Sequence, residues 1–177
     1  MKKLIIINGT MGVGKSAVCN VLLHTLKPSV YLDGDWCWNM NPFVVSEENK
    51  KMVIDNITYL LKSYLNNLGF DYIIFCWVIH QEDIFRQLLE PLKDCDFQLY
   101  KISLICSETA LRSRLEIDVQ KGIRKVEVIG RSIQKLELYN NMSTLRIDVS
   151  DIGPEQTAIE IIKIIGGNEN EELYNDK

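Results

Sequence analysis

Long apolar runs are missing from this chain of 177 residues, although its apolar content of 46% is that of a globular protein. A membrane-spanning helix needs roughly 20 consecutive apolar residues, and no run approaches that length. Residues 1–3 carry two lysines, but the apolar run at residues 4–7 is shorter than the roughly 7–15 residues of a signal-peptide core. We therefore expect a cytoplasmic protein without a membrane partner.

Positive charge is not in excess. The chain has 20 Lys and Arg residues against 24 Asp and Glu residues, which gives a formal net charge of −4. Because proteins that bind nucleic acid usually carry a basic surplus, we expect no nucleic-acid partner. A small polyanion remains compatible with this composition, since it needs only a local cluster of cations.

Metal-binding and disulfide patterns are also missing. The five cysteines are scattered and no two have the C-x-x-C spacing, so we expect buried free thiols: Cys19, Cys37, Cys76, Cys95 and Cys106. The two histidines, His24 and His80, lie far apart in the sequence. The pattern indicates neither a zinc centre nor a Ser-His-Asp arrangement.

Short apolar runs alternate with segments of helical periodicity along the chain. The runs predict strands at residues 4–7, 30–32, 72–79, 99–105 and 145–149. The periodic segments predict helices at residues 17–26, 46–68, 82–93, 107–122, 126–139 and 154–165. Residues 36–45 show no clear period and are predicted to form a loop. Buried strands joined by helices indicate an α/β fold with a parallel sheet, which binds ligands beyond the carboxyl ends of its strands.

The chain shows no repeat and no linker between domains, so we expect one domain over residues 1–166. Residues 167–177 are acidic and polar, and we expect them to form a flexible tail.

A phosphate-binding motif follows the first predicted strand and precedes the first predicted helix. The sequence matches G-x-x-x-x-G-K-[ST] in full: Gly9-Thr10-Met11-Gly12-Val13-Gly14-Lys15-Ser16. Its glycines let backbone N–H groups point inward at phosphate oxygens, and the helix N-terminus adds further amides. Lys15 supplies a charge for the terminal phosphates and Ser16 a ligand for Mg²⁺. We assign residues 9–16 and Ala17 to nucleotide binding.

Signatures of other phosphate-loop proteins are missing. No Asn-Lys-x-Asp, no apolar strand ending in Asp-Glu and no Leu-Ser-Gly-Gly occurs. From residue 3 to residue 165 the chain resembles the P-loop nucleotide and small-molecule kinases, which include nucleoside monophosphate kinases and the shikimate, gluconate, adenylyl-sulfate and chloramphenicol phosphotransferases. The resemblance implies a P-loop NTPase fold with a five-stranded parallel sheet in the order 2-3-1-4-5, ATP and Mg²⁺ as cofactors, and a mobile helical lid that carries arginines.

Two carboxylates, Asp33 and Asp35, follow the second predicted strand and belong at the sheet edge near the phosphate loop. An acceptor hydroxyl needs a carboxylate to accept its proton, and Mg²⁺ needs carboxylate support. D-x-D turns of the adenylyl-sulfate and gluconate kinases are similar, so we assign Asp35 as the base and Asp33, with Ser16, to the metal. Many P-loop proteins carry an aspartate at the end of the third strand, where this chain has Trp77. The competing interpretation is a turn that uses Asp and Gly only for backbone geometry.

Aromatic residues come directly after this acidic turn. Trp36 and Trp38 are candidates for stacking against a planar or sugar-like acceptor, and they could equally cover the core. Trp77 and His80 end the third predicted strand at the same edge and complete the predicted acceptor site with Asp33 and Asp35. A lone histidine is more often structural than functional.

Cations cluster in the helix-glycine-helix segment at residues 112–131, which we predict to be the lid. The resemblance places Arg114 beside the adenine and gives Arg124 and Arg131 contacts to phosphates. It also places the adenine against residues 147–154. The competing interpretation is a solvated charged face, which we favour for Arg112 and Lys125.

These features together predict an ATP-dependent kinase that moves the γ-phosphoryl group to a hydroxyl or phosphate of a small molecule such as a nucleoside, nucleotide, sugar or antibiotic. Lys15, Asp35, Arg124 and Arg131 form the predicted catalytic set. The alternative is a nucleotide-binding module or NTPase without transferase activity. We expect a monomer or homodimer.

Overall fold

Five parallel strands form the central sheet of the computed structural model, which describes residues 1–166. They are β1 (Lys2–Asn8), β2 (Ser29–Asp33), β3 (Tyr72–Trp77), β4 (Phe97–Ile105) and β5 (Leu145–Asp148). The strand order is β2-β3-β1-β4-β5 and every pairing is parallel, so the predicted α/β fold and its strand order are confirmed. The predicted acidic tail at residues 167–177 lies outside the described residues.

Helices cover both faces of this sheet. They are α1 (Lys15–Thr25), α2 (Glu47–Asn66), α3 (Glu82–Leu89), α4 (Glu108–Gln120), α5 (Glu127–Gln134) and α6 (Pro154–Ile164). Serine caps begin two of them, at the predicted starts 46 and 107: the hydroxyls of Ser46 and Ser107 accept hydrogen bonds from backbone N–H groups three residues later. No helix within residues 1–166 is both long and apolar enough to cross a membrane.

The core lies in two layers, one on each side of β1. Successive side chains of a strand point to opposite faces of the sheet. Ile5 and Ile7 therefore pack against α1 and α6, whereas Leu4 and Ile6 pack against α2 and α3. All four side chains are fully buried, and each burial stabilises the fold by roughly 1.5–3 kcal/mol. Burial on both faces holds β1 in the middle of the sheet, and the parallel pairing places the carboxyl ends of the strands at one edge.

The predicted helix over residues 126–139 is wrong in its second half. Helix α5 ends at Gln134, and a 3-10 segment over Leu136–Asn141 follows. The reason is that the apolar residues of this stretch serve two different clusters. Val128 packs with Leu111 and Leu115 of α4. Tyr139, in contrast, is buried in the core layer between the sheet and helices α2 and α3. One straight helix cannot point both side chains at these separate targets.

Several other boundaries differ from the predictions by one residue or more, and three of them have a clear consequence or cause. The predicted helix at residues 82–93 stops at Leu89, and Pro91 lies in a short 3-10 segment, since proline lacks the N–H that continues an α-helix. The predicted strand at residues 72–79 stops at Trp77. The predicted loop at residues 36–45 begins inside a 3-10 turn, Gly34–Trp38, which the Asp33 carboxylate caps.

The side chain of Asn8 fixes the carboxyl ends of three strands to one another. It is fully buried at the end of β1. Its Oδ1 accepts a hydrogen bond of 2.8 Å from the backbone N–H of Ile79, and its Nδ2 donates one of 3.2 Å to Ser103 Oγ. Ile79 follows β3 and Ser103 lies in β4. Asn8 thus replaces the strand pairing that β1 and β3 lose beyond Trp77.

We expect Asn8→Ala to destabilise the fold, because it leaves the buried Ile79 N–H without an acceptor. Such a loss costs about 1–3 kcal/mol. For a domain of this size each kcal/mol lowers Tm by about 2–4 °C. Differential scanning calorimetry measures the change. The control is Asn140→Ala, at an exposed position, and a Tm for Asn8→Ala equal to that of the control would contradict this role.

Candidate active site

The loop between β1 and α1 is a concave turn with three glycines in the left-handed region. Gly9, Gly12 and Gly14 have φ values of 145°, 86° and 111°. At Gly12 a Cβ atom would lie 2.4 Å from Leu115 Cδ2, so only glycine allows α4 to pack this closely on the loop. The close approach places the start of the predicted lid directly against the phosphate loop.

Lys15 begins α1 and turns its ammonium group back over the loop. Its Nζ donates hydrogen bonds of 3.0 Å to the carbonyl oxygens of Gly9 and Thr10. Burial lowers the pKa of Lys15 below its usual range, while the nearby Asp35 and Asp33 oppose this change. The loop therefore holds a cation whose Nζ is hydrogen-bonded to two neutral carbonyl oxygens, and an anion in the adjoining cavity would be attracted to it.

A cavity of about 480 Å³ opens in front of this loop, and we call it the P-loop cavity. One side is the loop itself, and the other sides come from the acidic turn, α4, the following segment and the start of α6. Its lining includes residues 11–18, Asp33, Asp35, Trp77, Arg114, Asp118, Arg124 and residues 152–154. The cavity thus collects cations, carboxylates and backbone amides from distant parts of the chain.

The carboxylate of Asp33 is held by three donors. Ser16 Oγ and the Tyr31 hydroxyl each donate a hydrogen bond of 3.0 Å to its Oδ2, and the Asp35 backbone N–H donates one of 3.0 Å to its Oδ1. The predicted metal residues, Ser16 and Asp33, are therefore in direct contact. Tyr31 was missed from the sequence, because a tyrosine within an apolar strand carries no signal beyond strand propensity. The pair presents the hard oxygen ligands that Mg²⁺ prefers.

Asp35 lies beside this pair in a different environment. Trp77 Nε1 donates a hydrogen bond of 3.1 Å to its Oδ1. Partial desolvation and the charge of Asp33 raise the pKa of Asp35, and the positive charge of Lys15 and the Trp77 hydrogen bond lower it in part. The Trp77 ring packs on Gly34, where a Cβ atom would lie 2.5 Å from its Cγ. The site thus contains two neighbouring carboxylates in different environments.

The arginines of the predicted lid occupy three different positions. Arg114 donates hydrogen bonds to the carbonyl oxygens of Val13, at 3.2 Å, and of Val149, so it bridges the phosphate loop and the segment after β5. Arg124 lines the P-loop cavity and is paired with Asp118 at 2.9 Å. Arg131 is exposed, and its Nε donates only to the Glu127 carbonyl oxygen, at 3.4 Å. In this conformation Arg131 contributes nothing to the cavity, and its phosphate contact stays a prediction.

A second cavity of about 790 Å³ adjoins the first, and we call it the aromatic cavity. Its walls come from the 3-10 turn after β2, the chain that follows it and the end of α5. The lining residues are Met11, Asp33, Asp35, Trp36, Trp38, Asn39, Phe43, Val78 and Lys135. Met11, Asp33, Asp35 and Val78 line both cavities. The acidic turn therefore lies where the two cavities meet.

The predicted acceptor residues are only partly brought together. Trp36 and Trp38 line the aromatic cavity and Trp77 lines the P-loop cavity, whereas His80 lines neither. Burial and the charge of Lys135 lower the pKa of His80. Its Nδ1 is buried and has no hydrogen-bond partner within the described residues. Lys135 was missed from the sequence, since a single lysine at the end of an amphipathic helix resembles any solvated charge.

Comparison with known proteins agrees with this architecture. A family model described as an AAA domain matches residues 5–134. The tunicamycin resistance protein of Deinococcus radiodurans superposes with a TM-score of 0.68 at 20% identity, covering 94% of this chain and 98% of that one. A gluconokinase from Sinorhizobium meliloti 1021 has a TM-score of 0.68 at 15% identity, with 93% and 91% covered. A sugar kinase from Janibacter sp. HTCC2649 has a TM-score of 0.66 at 14% identity, with 94% and 95% covered. No curated protein matches the chain.

We expect Lys15→Ala to weaken ATP binding by about 100-fold or more, because charge-assisted hydrogen bonds to phosphate are lost. Isothermal titration calorimetry measures the affinity. The matched control is Lys125→Ala, at an exposed position of the predicted lid. Equal affinities of the Lys15 variant and the control would remove Lys15 from nucleotide binding.

Proposed function

The chain belongs to the family of AAA domains, and we propose that it is an ATP-dependent phosphotransferase that acts on a small molecule. The observation that carries this proposal is the junction of the two cavities at Asp33 and Asp35. One cavity offers the backbone amides and cations that a triphosphate requires. The other offers room for an acceptor, and the carboxylates stand between them. A simple nucleotide hydrolase needs no second cavity of this kind.

In the proposed complex the ATP phosphates lie along residues 9–16, where Lys15 and the N-terminus of α1 attract negative charge. Arg114 bridges Val13 and Val149 in the lining of the P-loop cavity and is proposed to border the adenine. Arg124 is proposed to contact phosphate. Its present partner is Asp118, so binding would exchange one ion pair for another.

Ser16 and Asp33 fit a bound Mg²⁺, because their oxygens are in contact and no bulky side chain separates them from the P-loop cavity. The ion would neutralise charge on the phosphates when bound. Within residues 1–166 no group of three or more His, Cys, Asp or Glu side chains is placed to hold a metal by itself. This agrees with Mg²⁺, which commonly takes one or two protein carboxylates and completes its shell with phosphates and water.

Asp35 is proposed to orient the acceptor hydroxyl and to accept its proton. Its raised pKa makes it a better base than a solvated aspartate. Trp77 holds the carboxylate from one side through Nε1. Asp35 lines both cavities, so a hydroxyl bound in the aromatic cavity would approach the γ-phosphoryl group beside it.

One observation favours a second candidate, a nucleotide-binding module or NTPase without transfer. Strand β3 ends in Cys76 and Trp77 and lacks the aspartate that many P-loop proteins have there. An assay of ADP release separates the two candidates. A phosphotransferase requires an acceptor for release, whereas an NTPase releases ADP without one. The acceptor panel includes gluconate and tunicamycin, which occur in the names of the similar structures.

We expect Asp35→Asn to retain ATP binding and to lower kcat for transfer by about 10²–10⁴-fold, since the amide cannot accept the proton. Calorimetry with ATP and the ADP-release assay measure the two effects separately. Asp55→Asn, on an exposed position of α2, is the matched control and should behave as the wild type. Wild-type turnover by the Asp35 variant would remove it from the mechanism.

We expect the pH dependence of kcat/KM to report the Asp35–Trp77 hydrogen bond. Activity requires the ionised carboxylate, so it falls as the pH decreases through the pKa of Asp35, which lies above the ordinary value of 3.8. The Trp77 N–H favours the charged form and lowers this pKa. In Trp77→Phe the acid limb should therefore move to higher pH. A limb that stays in place or moves down would contradict this assignment of the base.

A further inference from the structure

The walls of the aromatic cavity expose large apolar side chains. Trp36 is 58% exposed and Phe43 is 65% exposed, and both face the same cavity. Met11 and Val78 extend this apolar surface to the junction with the P-loop cavity. Exposed apolar surface in a concave site is typical of a ligand-binding pocket, because a bound ligand removes that surface from water and this burial is favourable.

The aromatic walls are held in position by the same residues that hold the acidic turn. The rings of Trp36 and Tyr31 pack edge to face with centroids 5.3 Å apart, and the Tyr31 hydroxyl donates to Asp33. The rings of Trp38 and Phe43 are tilted against each other at 5.7 Å. A ring bound between these walls would therefore be placed at a set distance from the carboxylates.

The charge of the aromatic cavity does not suit a phosphate. Its lining contains the carboxylates of Asp33 and Asp35, and among the described residues Lys135 is its one cation. A phosphate monoester carries close to two negative charges at neutral pH and is normally bound by several cations. Repulsion from the two carboxylates would disfavour a phosphate. A neutral hydroxyl, in contrast, can donate a hydrogen bond to a carboxylate.

The polar groups of the cavity are also few for its size. Apart from the two carboxylates, the described residues offer in a space of about 790 Å³ only Asn39, Lys135 and the indole N–H groups of Trp36 and Trp38 as polar side-chain groups. A small acceptor with hydroxyls on every carbon would leave many of them without partners. A volume of this size instead suits a larger molecule with an apolar face.

We propose that the acceptor is an alcohol that carries a flat apolar or aromatic ring, bound between Trp36, Trp38 and Phe43 with its hydroxyl at Asp35, and that phosphates are excluded from this cavity. This inference rests on the proposed phosphotransferase function and defines its acceptor class. Among the described residues Lys135 is the single cation that lines the aromatic cavity, so it can balance the charge of at most one acidic substituent on the acceptor.

Two matched pairs of probes test the inference on the wild-type chain. Phenyl and methyl β-D-glucopyranoside share their hydroxyl groups and differ in the ring, while uridine and uridine 5′-monophosphate differ in the phosphate. All three tryptophans of the chain line one of the two cavities, so with the P-loop cavity filled by a non-hydrolysable ATP analogue and Mg²⁺, quenching of intrinsic fluorescence measures binding at the aromatic cavity without turnover. ADP release in the presence of ATP and Mg²⁺ measures transfer separately.

We expect the phenyl glucoside to bind about tenfold or more tightly than the methyl glucoside, since aromatic contact and apolar burial are added. Uridine should bind better than its monophosphate by a similar factor, and that preference should shrink as ionic strength rises. In Phe43→Ser the advantage of the phenyl glucoside should fall about threefold to tenfold. The control Tyr59→Ser removes a 75% exposed aromatic side chain that lines neither cavity, and it should keep the advantage.

The outcomes separate this inference from the function on which it rests. Equal binding of the two glucosides, tighter binding of the monophosphate, or no binding of either ring-bearing probe would overturn the acceptor class. Transfer to gluconate alone would overturn it too and leave the phosphotransferase intact. Ring-selective binding without ADP release from any probe would support the cavity's preference and count against transfer.

Discussion

The carboxylate of Asp33 is the contact on which the candidate site depends. It accepts hydrogen bonds from Ser16 at the start of α1, from Tyr31 in β2 and from the backbone of the turn that follows. Through these bonds one side chain joins the phosphate loop to the strand beside β3 and to the aromatic segment. Tyr31 in turn packs against Trp36, so the acceptor walls are tied to the same centre.

The sheet is covered by helices on both faces, and this burial supplies the stability that the site's arrangement requires. Leu4 to Ile7 are fully buried on alternating faces, which keeps β1 in the middle and brings the loops after β1, β2 and β3 to one edge. Asn8 then satisfies the backbone where regular pairing stops. The sheet and its helices thus support the phosphate loop, with its glycines in the left-handed region and with Lys15 hydrogen-bonded to two carbonyl oxygens.

Family membership and the site address different questions. The AAA domain match covers residues 5–134, which include the phosphate loop and four of the five strands. In the proposed reaction the segment between β2 and α2 would decide the acceptor, because it supplies Asp35 and the aromatic walls. The similar solved structures, at 14–20% identity, establish the fold that holds this segment in place.

Local patterns determined a large part of this protein. Residues 9–16 identify the phosphate loop, alternation of apolar runs and helical periods predicts the α/β fold, and Ser46 and Ser107 mark helix starts, because motifs, periods and caps act over a few residues. The strand order came with the family resemblance. Tertiary structure alone decided that Lys135 lines the same cavity as Asp35, that Tyr31 holds Asp33, and that Arg131 lies outside the lining of both cavities. These contacts depend on how whole layers pack, since residues far apart in sequence meet only after the core has set the path of the chain.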